Sequence, residues 1–453
     1  YIPDRYTEGY GISFKGIDFA EDNGFSLIIA LDCGVKAIDK VAYAKEKGIE
    51  FIICDHHRPG SSLPDAIAVL DPKREDCTYP YDELCGCGVG FKLLQALASK
   101  RGETIEDLIP YLDLVATAIG ADIVPITGEN RVLAYFGLQV INDNPRVGFK
   151  AIIDQIKKQS LTITDVVFII APRINAAGRM EHGQYAVNLL VETNLENAQK
   201  FAAKIEQFNT DRRGLDQEIT QEALLQIQEN AEEKRFTSVV YKDSWHKGVI
   251  GIVASRLTET YYRPTLVFTK SGNKLAASAR SVKGFDVYSA LEGCSDCIEQ
   301  FGGHKYAAGL TLLEEQYVTF KDQFEKVVSE TIDPNLLTPE IVVDAQIDFD
   351  RISPKLLRIL KQFAPFGPGN MTPVFMADKL YDTGYAKGVG EHEKHLKLAI
   401  IQNGRGPISA IGFNLGDKLA LVRGQKPFSA VFCLEENEWQ GNISLQLKLK
   451  DIK

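Results

Sequence analysis

Two α/β units joined by a long helix and followed by a small β-barrel are the architecture that the sequence predicts, on three observations. From residue 25 onward, short apolar runs alternate with turns and amphipathic helical stretches, the pattern of a parallel sheet covered by helices. Residues 195–234 are rich in Glu, Gln, Lys and Ala, the composition of a long, partly exposed helix. Beyond residue 339, five or six strand-like runs and one helix fill the last stretch of chain, which suits a small closed barrel.

The elements follow in order. Residues 25–31 form a first strand, residues 38–47 a helix, residues 50–54 a second strand and residues 66–70 a third. Each strand runs directly into an acid: Asp32, Asp55 and Asp71. Ligands of parallel sheets sit at the carboxyl ends of the strands, so these acids mark the functional edge. Helices are predicted over 89–99 and 111–119, and the apolar run 166–171 is strand-sized. A capping box at Thr193 and Glu196 starts the connecting helix, which Gly214 interrupts, so it reads as one helix or a pair. The second unit has strands near 238–241 and 265–268, a helix over 249–259, a strand ending at Ser278-Ala279-Arg280-Ser281 and a turn at Gly302-Gly303. Residues 333–339 read as a linker. The tail has a helix over 354–363 and strands near 374–379, 395–401, 408–413, 428–434 and 443–449, an oligonucleotide-binding (OB) type of barrel.

At roughly 100 to 200 residues per domain, the 453 residues imply two to four domains, and 45% hydrophobic with 25% charged residues excludes a disordered chain. No run approaches the roughly 18 to 20 apolar residues of a membrane span. Eight Cys without framework spacing indicate reduced thiols and a cytoplasmic protein. The net charge of −10 disfavours nonspecific coating of nucleic acid, but residues 338–453 carry 15 basic against 13 acidic side chains, so the barrel segment is the electrostatically distinct part.

The strongest chemical signal is Ile52-Ile53-Cys54-Asp55-His56-His57, an apolar strand ending in a carboxylate and two imidazoles. Carboxylate and imidazole are ligands for manganese-like divalent ions, and a strand end holds them rigidly. The plainer reading is a polar loop after a strand. Asp32, before Gly34, is the natural companion, although Asp is also a common turn residue. Asp122, in Ala118-Ile119-Gly120-Ala121-Asp122-Ile123-Val124-Pro125, is an acid in an apolar setting that needs a partner or a metal, or else ends a helix before Pro125.

These motifs, together with Pro3-Asp4-Arg5, Glu8-Gly9-Tyr10-Gly11, Pro172-Arg173-Ile174-Asn175-Ala176-Ala177-Gly178-Arg179, Trp245-His246-Lys247-Gly248 and Phe301-Gly302-Gly303-His304, occur in an order that resembles the RecJ family of single-stranded-DNA-specific exonucleases, within the DHH phosphoesterase superfamily. The resemblance spans the whole chain. It implies a DHH phosphoesterase domain over 1–192, a connecting helix over 193–235, a DHH-associated substrate-binding domain over 236–332 and an OB-like nucleic-acid-binding domain over 338–453. It implies a 5′-to-3′ exonuclease that releases mononucleotides in DNA repair and recombination with two Mn2+ or Mg2+ ions, which lie about 3.5 to 4 Å apart in such sites. Asp32, Asp55, His56 and Asp122 are then the expected metal ligands, and His57 completes the catalytic set. The resemblance also places an Asp-x-Asp-Gly strand end, with two more carboxylates, upstream of Tyr1, and the opening Tyr1-Ile2-Pro3 lacks Met and a signal pattern.

In the second unit, Ser278 and Arg280 with the backbone N–H groups of Gly302 and Gly303 suit a phosphate-binding concavity. The resemblance assigns it the 5′-terminal phosphate, with Arg173 or Arg179 as helpers, and His304 either touches a phosphate or serves its own loop. In the barrel, Phe366 or Trp439 would stack a base, although core is the commoner role for an aromatic. The expected partner is single-stranded DNA with a 5′ end, with a single-strand-binding protein or a helicase as further candidates; the chain is expected to be a monomer without membrane contact. Cys294-Ser295-Asp296-Cys297 lacks the second pair that zinc needs, since Cys85-Gly86-Cys87 has no two-residue gap, and His392-Glu393-Lys394-His395 reads as a hairpin turn. Two alternatives compete: a noncatalytic DHH-family DNA-binding scaffold, and a DHH oligoribonuclease or nucleotide phosphatase. Retention of the acids and imidazoles disfavours the first, and the terminal barrel disfavours the second.

Overall fold

Three sheets, each with its own apolar core, are strung along the chain in this computed structural model, which describes all residues except 6, 157, 425 and 440 and, for the side chain, Trp439. The first sheet is parallel and holds β1 (Leu27–Leu31), β2 (Glu50–Cys54) and β3 (Ala68–Leu70) in that order. Leu31 is level with Cys54, and Cys54 with Leu70, so Asp32, Asp55 and Asp71 stand side by side just past the strand ends. Backbone bonds continue the register one step further, Asp32 N–H to Cys54 O at 2.8 Å and Asp55 N–H to Leu70 O at 2.9 Å.

Helices α1 (Phe14–Asp22) and α2 (Ile38–Glu46) close one apolar core on Ile17, Val41, Ala44, Phe51 and Ile53. On the other side α3 (Gly86–Arg101), α4 (Leu112–Asp122) and α5 (Gly128–Asp143) build the larger core around Val89, Val115, Ile119 and Ala134. The predicted helices are thus longer than their apolar stretches. Close packing of α4 on α5 needs Gly137, where a Cβ would lie 2.2 Å from the Leu112 carbonyl oxygen. The run 166–171 is helical, not a strand: Val166–Ile170 is a π-turn inside a continuous helical stretch. Pro172, which has no N–H to donate, lies two residues past its end, and a wider turn accommodates the missing bond.

The connecting element is a single 35-residue helix, Leu195–Glu229, capped by Asn194 accepting from Asn197 N–H, in place of the expected start at Thr193. Gly214 does not break it, because a lone glycine costs a helix only about 1 kcal/mol and the flanking face, with Phe208, Ile219 and Ile227, is buried. The second sheet has the order β4 (Ser238–Tyr241), β5 (Thr265–Ser271), β6 (Lys274–Arg280), β8 (Ala307–Leu312), β7 (Gln300–His304), parallel only between β4 and β5. Gly302 and Gly303, expected in a turn, lie within edge strand β7. A helix over Ile250–Tyr261 packs on this sheet.

The linker contains a short 3-10 turn, Pro334–Leu337. Beyond it β10 (Phe375–Asp382), β12 (His395–Gln402), β13 (Arg405–Gly412), β15 (Asn442–Ile452) and β14 (Phe428–Trp439) pair in a ring, closed between β10 and β12, with β9 (Ala345–Gln346) and β11 (Lys387–Val389) at its margins. A five-membered ring is an OB barrel. Its entry loop docks on the first domain: Ile126 N–H donates to Pro368 O at 2.7 Å, and Arg131 of α5 donates to the carbonyls of Gln362, Phe363 and Ala364 at 3.0, 3.1 and 3.3 Å. Among the described residues no helix is long and apolar enough to cross a membrane.

Candidate active site

Sheet register brings the first ligand atoms together. Asp32 sits at φ +65°, a left-handed conformation that Asp tolerates better than most residues, and it turns its carboxylate back over the strand ends. Gly86 opens α3 directly beneath it, where a Cβ would lie 2.2 Å from Asp32 Oδ1. His56 Nε2 is 3.1 Å from Asp32 Oδ1 and 3.4 Å from Asp122 Oδ2, yet makes no hydrogen bond to either. An imidazole nitrogen facing two carboxylate oxygens off the hydrogen-bond direction is the arrangement of ligands around a shared ion. One ligand atom each from Asp32, His56 and His57 falls within 4.8 Å of the others, so an ion fits the donor set. Asp122 is the last residue of α4, as its helix-terminal reading has it, and that position brings its carboxylate to His56. Burial raises its carboxyl, nearby Asp32 adds to the rise, and His56 opposes it. A cation would relieve that charge.

Asp55, expected among the ligands, has another place. It is 1% exposed and its oxygens are already taken: Oδ1 accepts from His56 N–H, His57 N–H and His57 Nδ1 at 2.8, 3.2 and 2.7 Å, and Oδ2 accepts from Val35 N–H at 2.9 Å. Burial pushes its carboxyl up, but these bonds outweigh burial and hold it at about 2. It therefore orients His57 through Nδ1 and raises the pKa of that ring. Burial pushes the Cys33 and Cys54 thiols to about 11, so neither offers a thiolate near neutral pH.

A cleft of about 530 Å³ lies between the two α/β domains. Arg280 Nη1 bonds Ser278 Oγ at 2.9 Å, and Gly251, near the start of the helix Ile250–Tyr261, lets both approach: a Cβ there would stand 3.0 Å from each. Helix N–H groups, a hydroxyl and a guanidinium are the donors from which anion sites are built. Arg179 and Arg5 line the same cleft. Burial lowers Arg179 to about 10, and the guanidiniums of Arg5, Arg212 and Arg280 push the same way. Gly302 and Gly303 line the far wall, and His304 stacks on His57 with ring centroids 5.6 Å apart, joining the two domains across the metal edge. Arg173 is elsewhere: its guanidinium pairs with Glu206 and donates to Ile169 O at 2.7 Å, so it holds the connecting helix.

Residues 1–119 match the DHH family N-terminal domain, 233–330 the DHHA1 domain and 343–451 the RecJ OB domain. The single-stranded-DNA-specific exonuclease RecJ of Salmonella typhimurium is 34% identical over 472 residues, covering all of this chain and 81% of that protein. The chain belongs to the RecJ family. RecJ of Bacillus subtilis is 36% identical over the whole chain, which spans 57% of its length. The crystal structure of RecJ from Thermus thermophilus in complex with Mn2+ superimposes with a TM-score of 0.84 at 27% identity, over 97% of this chain and 63% of that one, and its Mg2+ complex with a TM-score of 0.78 at 26% identity, over 94% and 61%.

Set against the family motifs, the arrangement shows what residue patterns alone missed. Arg5, which its motif does not tie to a role, lines the cleft. Gly86 and Gly251 carry no functional group, and no local signal marks them. Phe366 is half-buried in the entry loop, and the side chain of Trp439 lies outside the described residues. The eight cysteines are all free, with Cys85 capping α3 through its sulfur.

Proposed function

We propose that this RecJ-family chain hydrolyses single-stranded DNA from its 5′ end to mononucleotides, with Mn2+ or Mg2+ held by Asp32, His56 and Asp122 and with His57 at the open side. The observation that carries the reading is the convergence of Asp32 Oδ1 and Asp122 Oδ2 on His56 Nε2, with a cleft lined by Arg5, Arg179 and Arg280 in the same chain. Divalent ions bound there supply an activated water and stabilise the attacking and leaving oxygens of an in-line displacement.

The chain's own groups do the positioning. Ser278, Arg280, Arg179 and Arg5 bind the terminal phosphate, which carries more charge than an internal phosphodiester, so an end is preferred to the middle of a strand. Gly302 lines the cleft, and the space beside its backbone is open to the strand. Asp55 fixes His57, and His304 packs on it from the second domain, so the two walls must be together for the site to be complete. The barrel receives the strand beyond the cleft, and a single-strand-binding protein or a helicase would deliver it. The same Mn2+ and Mg2+ occur in the Thermus structures.

Digestion by the full-length protein of single-stranded DNA labelled at either end, with a 5′ phosphate or a 5′ hydroxyl, tests this. Expected are 5′-end mononucleotides with Mn2+, slower release from the 5′ hydroxyl, and none from His56→Ala. Binding of single strands without cleavage under either ion would overturn the exonuclease reading in favour of a scaffold.

A further inference from the structure

Buried polar atoms nearly always have partners, and two beside the metal site do not. His56 is 7% exposed and Asp71 is 3% exposed, and neither His56 Nδ1 nor Asp71 Oδ2 meets a hydrogen-bond partner among the described residues. They stand at adjacent strand ends, since the Asp55 N–H bond to Leu70 O sets residues 56 and 71 on one rim of the sheet. Asp71 Oδ1 is occupied, accepting from Lys73 N–H at 2.8 Å, which fixes the carboxylate and leaves Oδ2 as the available acceptor.

A ligating imidazole gives one nitrogen to the ion, and its other N–H requires an acceptor that sets tautomer and ring orientation. His56 presents Nε2 to Asp32 and Asp122, so Nδ1 is left to donate. We propose that Asp71 is a positioning residue of the metal centre: Oδ2 accepts from His56 Nδ1 through one water, and thereby fixes the tautomer that offers Nε2. Asp71 lines a cavity of about 360 Å³ with Leu70, Leu84, Arg74 and Lys92, so a water has access to its carboxylate. The three strand-end acids then divide their work. Asp32 binds the ion, Asp55 holds His57, and Asp71 holds His56. The inference rests on the metal reading of His56.

The test is Mn2+ affinity, by calorimetry and electron paramagnetic resonance, of the full-length protein and its His56→Ala, Asp71→Asn and Asp71→Ala variants, with metal-free melting temperatures alongside. Binding by the wild type that His56→Ala loses secures the underlying reading; its absence overturns that reading and the inference with it. Given that binding, Asp71→Ala is expected to weaken Mn2+ affinity about 10- to 100-fold, while Asp71→Asn, which keeps an acceptor oxygen, stays within about threefold of the wild type. The metal-free melting temperatures of the two variants are expected to match. Wild-type affinity in Asp71→Ala, or equal weakening by both substitutions, overturns the role of Asp71.

Discussion

Gly86 has no functional group, yet it decides where Asp32 points. A methyl at this position overlaps the Asp32 Cα, Cβ and Oδ1 at 2.6, 2.6 and 2.2 Å, so Gly86→Ala must displace the carboxylate or the start of α3. Overpacking of this kind costs about 1 to 3 kcal/mol. The expected result is a folded protein of lower melting temperature and sharply weakened Mn2+ binding; unchanged affinity would show that Asp32 is not a ligand. Asp55→Asn tests the neighbouring carboxylate. An amide replaces one of the oxygens that now accept from backbone and imidazole, so one N–H loses its acceptor, at about 1 to 3 kcal/mol. Activity is expected to fall more than Mn2+ affinity, because Asp55 acts through His57. That Asp32, His56 and Asp122 come together was legible in the sequence because acids and imidazoles at apolar strand and helix ends are conspicuous. The hydrogen bonds of Asp55 were not legible for a physical reason: sequence tells that a carboxylate ends a strand, but not which backbone N–H groups reach its oxygens first.

Helix and strand boundaries show the same division. β1, β2 and the barrel strands follow from their apolar runs, whereas 166–171 forms a π-turn, since a short buried run has no periodicity to separate strand from helix. That helical stretch begins with a capping box, Thr162 with Asp165, and Lys158 bonds both Asp165 oxygens at 2.7 Å. Burial raises the Asp165 carboxyl, but Lys158 and Thr162 more than reverse it, and the folded value lies below the ordinary one. A depressed carboxyl stabilises the fold above the unfolded value, near 3.9, and the contribution is lost as pH falls through the folded value. Acid unfolding of Asp165→Asn should accordingly start from a lower stability at neutral pH and show a shallower loss below pH about 4. An unaltered acid limb would refute the assignment. At the cleft wall, Gly251→Ala places a methyl 3.0 Å from Arg280 Nη2 and Ser278 Oγ. It is expected to erase the preference for a 5′ phosphate over a 5′ hydroxyl while leaving Mn2+ affinity intact, a split that competition binding of the two oligonucleotides measures.

At the scale of the molecule, the connecting helix and the His57–His304 stack set the two α/β domains across one cleft, and the barrel is fastened beside it. The domain order was legible because each unit keeps its own pattern of strands; the seams were not, because they consist of backbone carbonyls and glycines. Arg131→Ala removes three bonds to the carbonyls of residues 362–364. Hydrogen exchange over 362–370 should rise, and digestion of long strands should slow more than that of short oligonucleotides. Equal effects on both lengths would mean that the barrel does not guide the strand from this docked position.

The barrel loop touches the first domain at Ile126, only four residues after Asp122. A built Cβ on Gly367 would lie 2.4 Å from Ile126 Cγ1, so the loop is fitted to that segment without slack. In a library of random substitutions, changes at Gly367, Pro368 or Ile126 should therefore cluster with those at Asp122, and a barrel borrowed from a relative would transplant only together with the stretch of first-domain chain that grips it.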